Sequence, residues 1–160
     1  MFRFFGSLSI TDLTQPWIFP FWNDQYLFVK LLIENNSTKQ TNVIKSYNVE
    51  CISPKCKKVE VVKINVTDND EAYIAHPSGK RLLLAKQVHE RFSSKDFLQT
   101  DLVLAKGDKY IQYICLKVNN LPLPSVIQIT IQDIHNHLYK AKIKIPKRYR
   151  FRFAYIQRYE

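Results

Sequence analysis

The sequence predicts an all-β, antiparallel fold, and three observations carry that expectation. Apolar and polar residues alternate over many short runs, most cleanly in residues 125–134 and 138–145, and a period of two belongs to strands rather than helices. Tyr and Phe are abundant, Ile, Asn and Lys are common and only three glycines occur, a usage that favours strands and also suits an AT-rich genome. Turn-forming clusters divide the chain into short segments, giving about seven to nine strands in a sandwich or barrel. With 160 residues and 46% hydrophobic content, the chain can bury one sizeable core, so a single domain is expected.

Residues 1–25 read as an aromatic N-terminal arm packed on a domain of residues 26–160. Pro16 and Pro20 disfavour a helix through QPWIFPFWND. Trp17, Phe19, Phe21 and Trp22 would cover one end of the core, or Trp17 and Trp22 would sit in a membrane interface. Residues 26–34 form the first strong strand, closed by the loop formers NNSTKQTN. Residues 42–52 follow as a second strand. Strict alternation places Val43, Lys45, Tyr47, Val49 and Cys51 on one side and Ile44, Ser46, Asn48 and Glu50 on the other. Residues 57–66 read as a third strand.

Polar turns are expected at 68–71 and 76–79, then a strand and loop through 80–100, where one short helix fits almost as well. Residues 97–105 and 110–118 read as strands joined by a turn at Lys106, Gly107 and Asp108. Pro122 and Pro124 make a stiff connection. Residues 125–134 then send Ile127, Ile129 and Ile131 to one face. His135, Asn136 and His137 form a hairpin tip, and residues 138–145 return with their lysines outward. Beyond Pro146, Arg148, Arg150 and Arg152 alternate with Tyr149, Phe151 and Phe153.

The stretches FVKLLIENNSTKQ, LVLAKGDKYIQYICLKV and VIQITIQDIHNHLYKAKIKI carry a resemblance of fold. Tyr113 stands two residues before Cys115, with Gly107 and Asp108 upstream where a strand-linking turn would fall. This pattern resembles the small single-domain immunoglobulin-like β-sandwich proteins of bacteria and phages. The resemblance is one of fold and implies a sandwich; the chain itself is expected not to be an enzyme and to work through an exposed surface. Both tryptophans precede Cys51, so no core Trp separates Cys51 from Cys115.

The net charge of +10 is concentrated at the end of the chain, since eight of the 24 basic residues and a single acid follow Leu138. The candidate binding residues are therefore Lys140, Lys142, Lys144, Lys147, Arg148, Arg150 and Arg152, forming one basic face on two adjacent strands. A protein partner is the first reading. Nucleic acid bound by the same strands is the second, and an anionic membrane met by this face and the aromatic arm is the third.

Chemistry is poorly represented. The three glycines are too far apart to cradle a phosphate, and neither a G-x-S-x-G nor an H-E-x-x-H motif occurs. His135 with His137, Cys51 with Cys56, and Asp68 with Asp70 and Glu71 each lack the further ligands of a metal site. No enzyme, cofactor or metal is expected. Three unevenly spaced cysteines suit free thiols in a reducing compartment, and no leader or spanning segment is visible, so the expected location is cytoplasmic.

Overall fold

A computed structural model describes residues 7–13, 17–21, 24–53, 59–77, 79–87, 90–118, 125–145 and 155–156. Among the described residues, fourteen strands occur in chain order: β1 (Leu8–Asp12), β2 (Trp17–Phe21), β3 (Asp24–Asn35), β4 (Asn42–Ser53), β5 (Val59–Val61), β6 (Asn65–Val66), β7 (Ala72–Ala75), β8 (Arg81–Gln87), β9 (Glu90–Arg91), β10 (Val103–Leu104), β11 (Lys109–Val118), β12 (Val126–Asp133), β13 (Leu138–Lys144) and β14 (Tyr155–Ile156). Among the described residues the one helical turn is a 3-10 segment, Ser94–Asp96. All strand pairs are antiparallel. Among the described residues, no helix is long and apolar enough to cross a membrane.

The strands form three sheets. The first runs β1-β3-β11-β5, with β2 also on β3; the second runs β10-β4-β12-β13; the third runs β14-β8-β7-β6, with β9 on β8. Alternation along β3 and β11 explains how they stack. Leu27, Val29, Leu31, Ile33, Ile114 and Leu116 meet Ile44, Ile127, Ile129, Ile131 and Ile143 of the second sheet in one apolar cluster. The opposite side chains, Tyr26, Phe28, Tyr113 and Cys115, meet Ala72, Ile74, Leu82 and Leu84 of the third sheet in another. The middle of the first sheet is thus covered on both faces. This is why residues 26–29 and 112–116 are buried without a break, whereas the rest of β3 alternates. Phe92 holds the second cluster together, with its ring centroid 4.9 Å from Tyr113, 5.3 Å from Phe97 and 5.5 Å from Phe28. Two of these contacts are edge-on, the arrangement ring quadrupoles favour.

Several sequence expectations change. The N-terminal stretch is extended, but its described backbone is sheet rather than arm: β1 lies along residues 31–35 of β3 and β2 along residues 24–28. The strand expected over 57–66 changes partner midway, since β5 pairs with β11 whereas β6 pairs with β7. Residues 97–105 contribute only an isolated bridge at Phe97 and the two-residue β10. In β4, strict alternation fails at a bulge where Lys45 is extra opposite the Gln132–Asp133 step. Lys45 and Ser46 are both exposed, and Ile44 moves to the buried side shared with Tyr47 and Val49. The region 80–100 begins with the expected strand, β8, but the chain then returns as β9 paired to it and makes the 3-10 turn instead of a plain loop, whereas the turn at Gly107 is present with φ +78°.

Candidate functional site

The β12–β13 hairpin builds the best-defined candidate surface. Ile127, Ile129 and Ile131 on β12 and Ile143 on β13 are fully buried, so the intervening side chains are forced outward. The register sets Lys144 opposite Val126, Lys142 opposite Gln128 and Lys140 opposite Thr130. Across β12, Gln128 faces Glu50 and Thr130 faces Asn48 on β4. The outer face is therefore a row of three exposed lysines beside a strip of Gln, Thr and Asn, with Glu50 as its one described acid. Successive outward residues on a strand are about 7 Å apart, where like charges in water repel by about 0.6 kcal/mol. The fold tolerates that easily. Among the described residues, none of the three lysines is held in an ion pair. At one end the face turns apolar, with Val103, Ile134 and Leu138 left 54%, 48% and 59% exposed.

The hairpin is locked from beneath by Asp133. This carboxylate is fully buried, and Oδ1 accepts the backbone N–H groups of His135 and His137 at 2.9 Å each. Its Oδ2 accepts Tyr139 O–H at 2.7 Å and Asn42 Nδ2 at 2.9 Å. These bonds let Asn136 take φ +65° at the tip. Burial works to raise the Asp133 pKa, but the hydrogen bonds from Asn42, Tyr139, His137 and His135 outweigh it and hold the carboxyl below its usual value. Burial and the bond to that carboxylate push the Tyr139 hydroxyl up to about 12. Sequence reasoning passed over Asp133, although an Asp closing an apolar strand just before a turn signals such a cap.

The other candidates make local contacts where they are described. The His135 and His137 rings lie 6.4 Å apart, and His137 Nδ1 is 3.5 Å from Asp133. No group of three or more His, Cys, Asp or Glu side chains converges among the described residues. Asp70 accepts the Ser94 N–H at 3.2 Å, and Glu71 lies 3.9 Å from Arg91. Cys51 and Cys115 are buried and form no disulfide, and burial raises the Cys115 pKa well above its ordinary value, disfavouring the nucleophilic thiolate. Trp17 lies in β2. Trp22, Cys56, Lys147, Arg148, Arg150 and Arg152 lie outside the described residues, so the second strand of the expected basic face does too. The nearest described segment, β14, pairs with β8 in the third sheet and not with β13.

A cavity of about 320 Å³ opens where the chain crosses from β5 to β6. Tyr47, Val61, Ile64, Phe97, Leu98 and Cys115 line it, and Tyr47 donates its hydroxyl to the Leu98 carbonyl at 3.1 Å. No sequence motif announces it, because it arises from a change of sheet partner. No protein-family model, no curated protein and no solved structure matches the chain.

Proposed function

We propose that this chain is an immunoglobulin-like β-sandwich that acts, without catalysis, as an interaction module, and that the outer face of its second sheet binds an acidic protein surface. The observation that carries the reading is the outward row Lys140, Lys142 and Lys144 on a rigid hairpin, beside the neutral donors and acceptors of Gln128, Thr130 and Asn48. Such a face supplies charge complementarity and adaptable hydrogen bonds, and the exposed Leu138 and Ile134 add apolar contact at its end. The immunoglobulin-like part of the reading is supported by the packing of the first and second sheets over one apolar cluster. It differs from antibody domains in having no disulfide between Cys51 and Cys115, the latter packing in the cluster between the first and third sheets.

Nucleic acid is the competing partner class. Stacking on bases needs exposed rings, and the described outward positions of β12 and β13 carry none. Lys140, Lys142 and Lys144 changed together to Gln is the test, with polyglutamate and single-stranded DNA as probes. Polyglutamate should bind in a salt-sensitive manner and lose about tenfold in affinity in the variant, while the melting temperature stays unchanged. Equal polyglutamate binding by both proteins overturns the proposal. Tighter, lysine-dependent binding of DNA transfers the face to the nucleic-acid reading.

A further inference from the structure

Strand β13 ends its sheet: among the described residues its only strand neighbour is β12. Both ends of the hairpin show which backbone groups are used. Asp133 N–H donates to the His137 carbonyl at 3.1 Å, and Ile145 N–H donates to the Ser125 carbonyl at 2.8 Å. The register between them has no shift. In an antiparallel ladder, alternate residues direct both backbone groups to the same neighbour. Residues 137, 139, 141, 143 and 145 therefore face β12. Leu138, Lys140, Lys142 and Lys144 turn their N–H and C=O groups to the other edge, where β1 packs beside β13 at Tyr139 but no strand pairs with it among the described residues. The residues that project lysine side chains onto the outer face are thus the same ones whose ladder hydrogen bonds go unused among the described residues.

We infer that β13 is a docking edge for an acidic extended segment, which adds to the second sheet as a further strand with an acidic side chain at every second residue. This rests on the proposal that the lysine face binds an acidic protein. A residue paired directly with Lys142 would exchange both backbone hydrogen bonds with it and lie about 5.5 Å away, Cα to Cα, with its side chain on the lysine face. A carboxylate there meets an ammonium, and the next two acids meet Lys140 and Lys144. Pairing with a second copy of β13 is opposed, because lysine would then face lysine. The same charges that keep the edge from self-association select an acidic strand, so one device supplies both repulsion and specificity.

The test uses the whole chain and an alternating Glu-Thr peptide long enough to span the row. Pairing requires the N–H of each Glu, whose side chain would share the face of the lysines; the N–H of each Thr points away. Two charge-identical peptides separate backbone pairing from attraction alone, one N-methylated at every Glu and the other at every Thr. The Thr-methylated peptide should bind and slow hydrogen exchange at Lys140, Lys142 and Lys144. The Glu-methylated peptide should bind about tenfold or more weakly, since several hydrogen bonds are lost together. Equal binding of the two without protection of β13 overturns strand addition and leaves the charged face standing. Failure of both peptides and of polyglutamate overturns strand addition together with the acidic-partner reading.

Discussion

Asp133 shows how much one residue can determine. It is a buried carboxylate with four hydrogen-bond donors, and removing it leaves Asn42, Tyr139 and two backbone N–H groups to find new partners. Asp133→Ala should cost about 3 kcal/mol in denaturant unfolding, several times a typical surface change. The pH dependence follows from the pKa directions. Because the folded-state pKa of Asp133 is lowered, its stabilisation is present above the ordinary carboxylate range and is lost as pH falls through the folded value, below about pH 4. Tyr139 is raised instead, so its contribution holds below about pH 10 and is lost as pH rises toward the folded value of about 12. Asp133→Asn should flatten the acid limb of a stability–pH curve, and an unchanged limb would refute this origin. Gly107 makes a smaller point of the same kind. A Cβ there meets no atom within 4 Å, but φ is +78°, so Gly107→Ala should cost about 1 kcal/mol through backbone strain alone.

At the level of the element, β12 tests the two-faced reading directly. Ile129 is fully buried and its neighbour Thr130 points to the lysine face. Ile129→Ala should lower stability by about 3 to 4 kcal/mol and Thr130→Ala by less than about 0.5, measured as shifts in denaturant midpoint. Comparable costs would mean that the strand is not amphipathic. This alternation was legible in the sequence, as were the outward lysines of β13 and the turn at its tip, because a hairpin writes its two faces into neighbouring residues. The β4 bulge was not legible. Nothing local to Lys45 and Ser46 reveals that the partner strand skips a residue, and one extra residue reverses which side chains face the core.

For the whole molecule, the first sheet is the common wall between two apolar clusters, and β1 and β2 line one side of its strand β3. Removing residues 1–22 therefore takes two paired strands from the sheet. The truncated chain should show a lower melting temperature and self-association by size-exclusion chromatography, as an uncovered strand edge predicts. A truncated chain as stable and monomeric as the full one would show that β1 and β2 are dispensable. Local period and turn chemistry were enough to establish an antiparallel all-β chain, the amphipathic β12–β13 hairpin and the outward lysines, since these depend on residues close in sequence. Only the tertiary structure decided that the early Trp-containing stretch is a sheet strand, that residues 59–66 divide between two sheets, and that residues 112–116 of β11 are buried on both faces. Those outcomes depend on partners far away in the chain. A run such as residues 112–116 records that both sides are covered, but not what covers them.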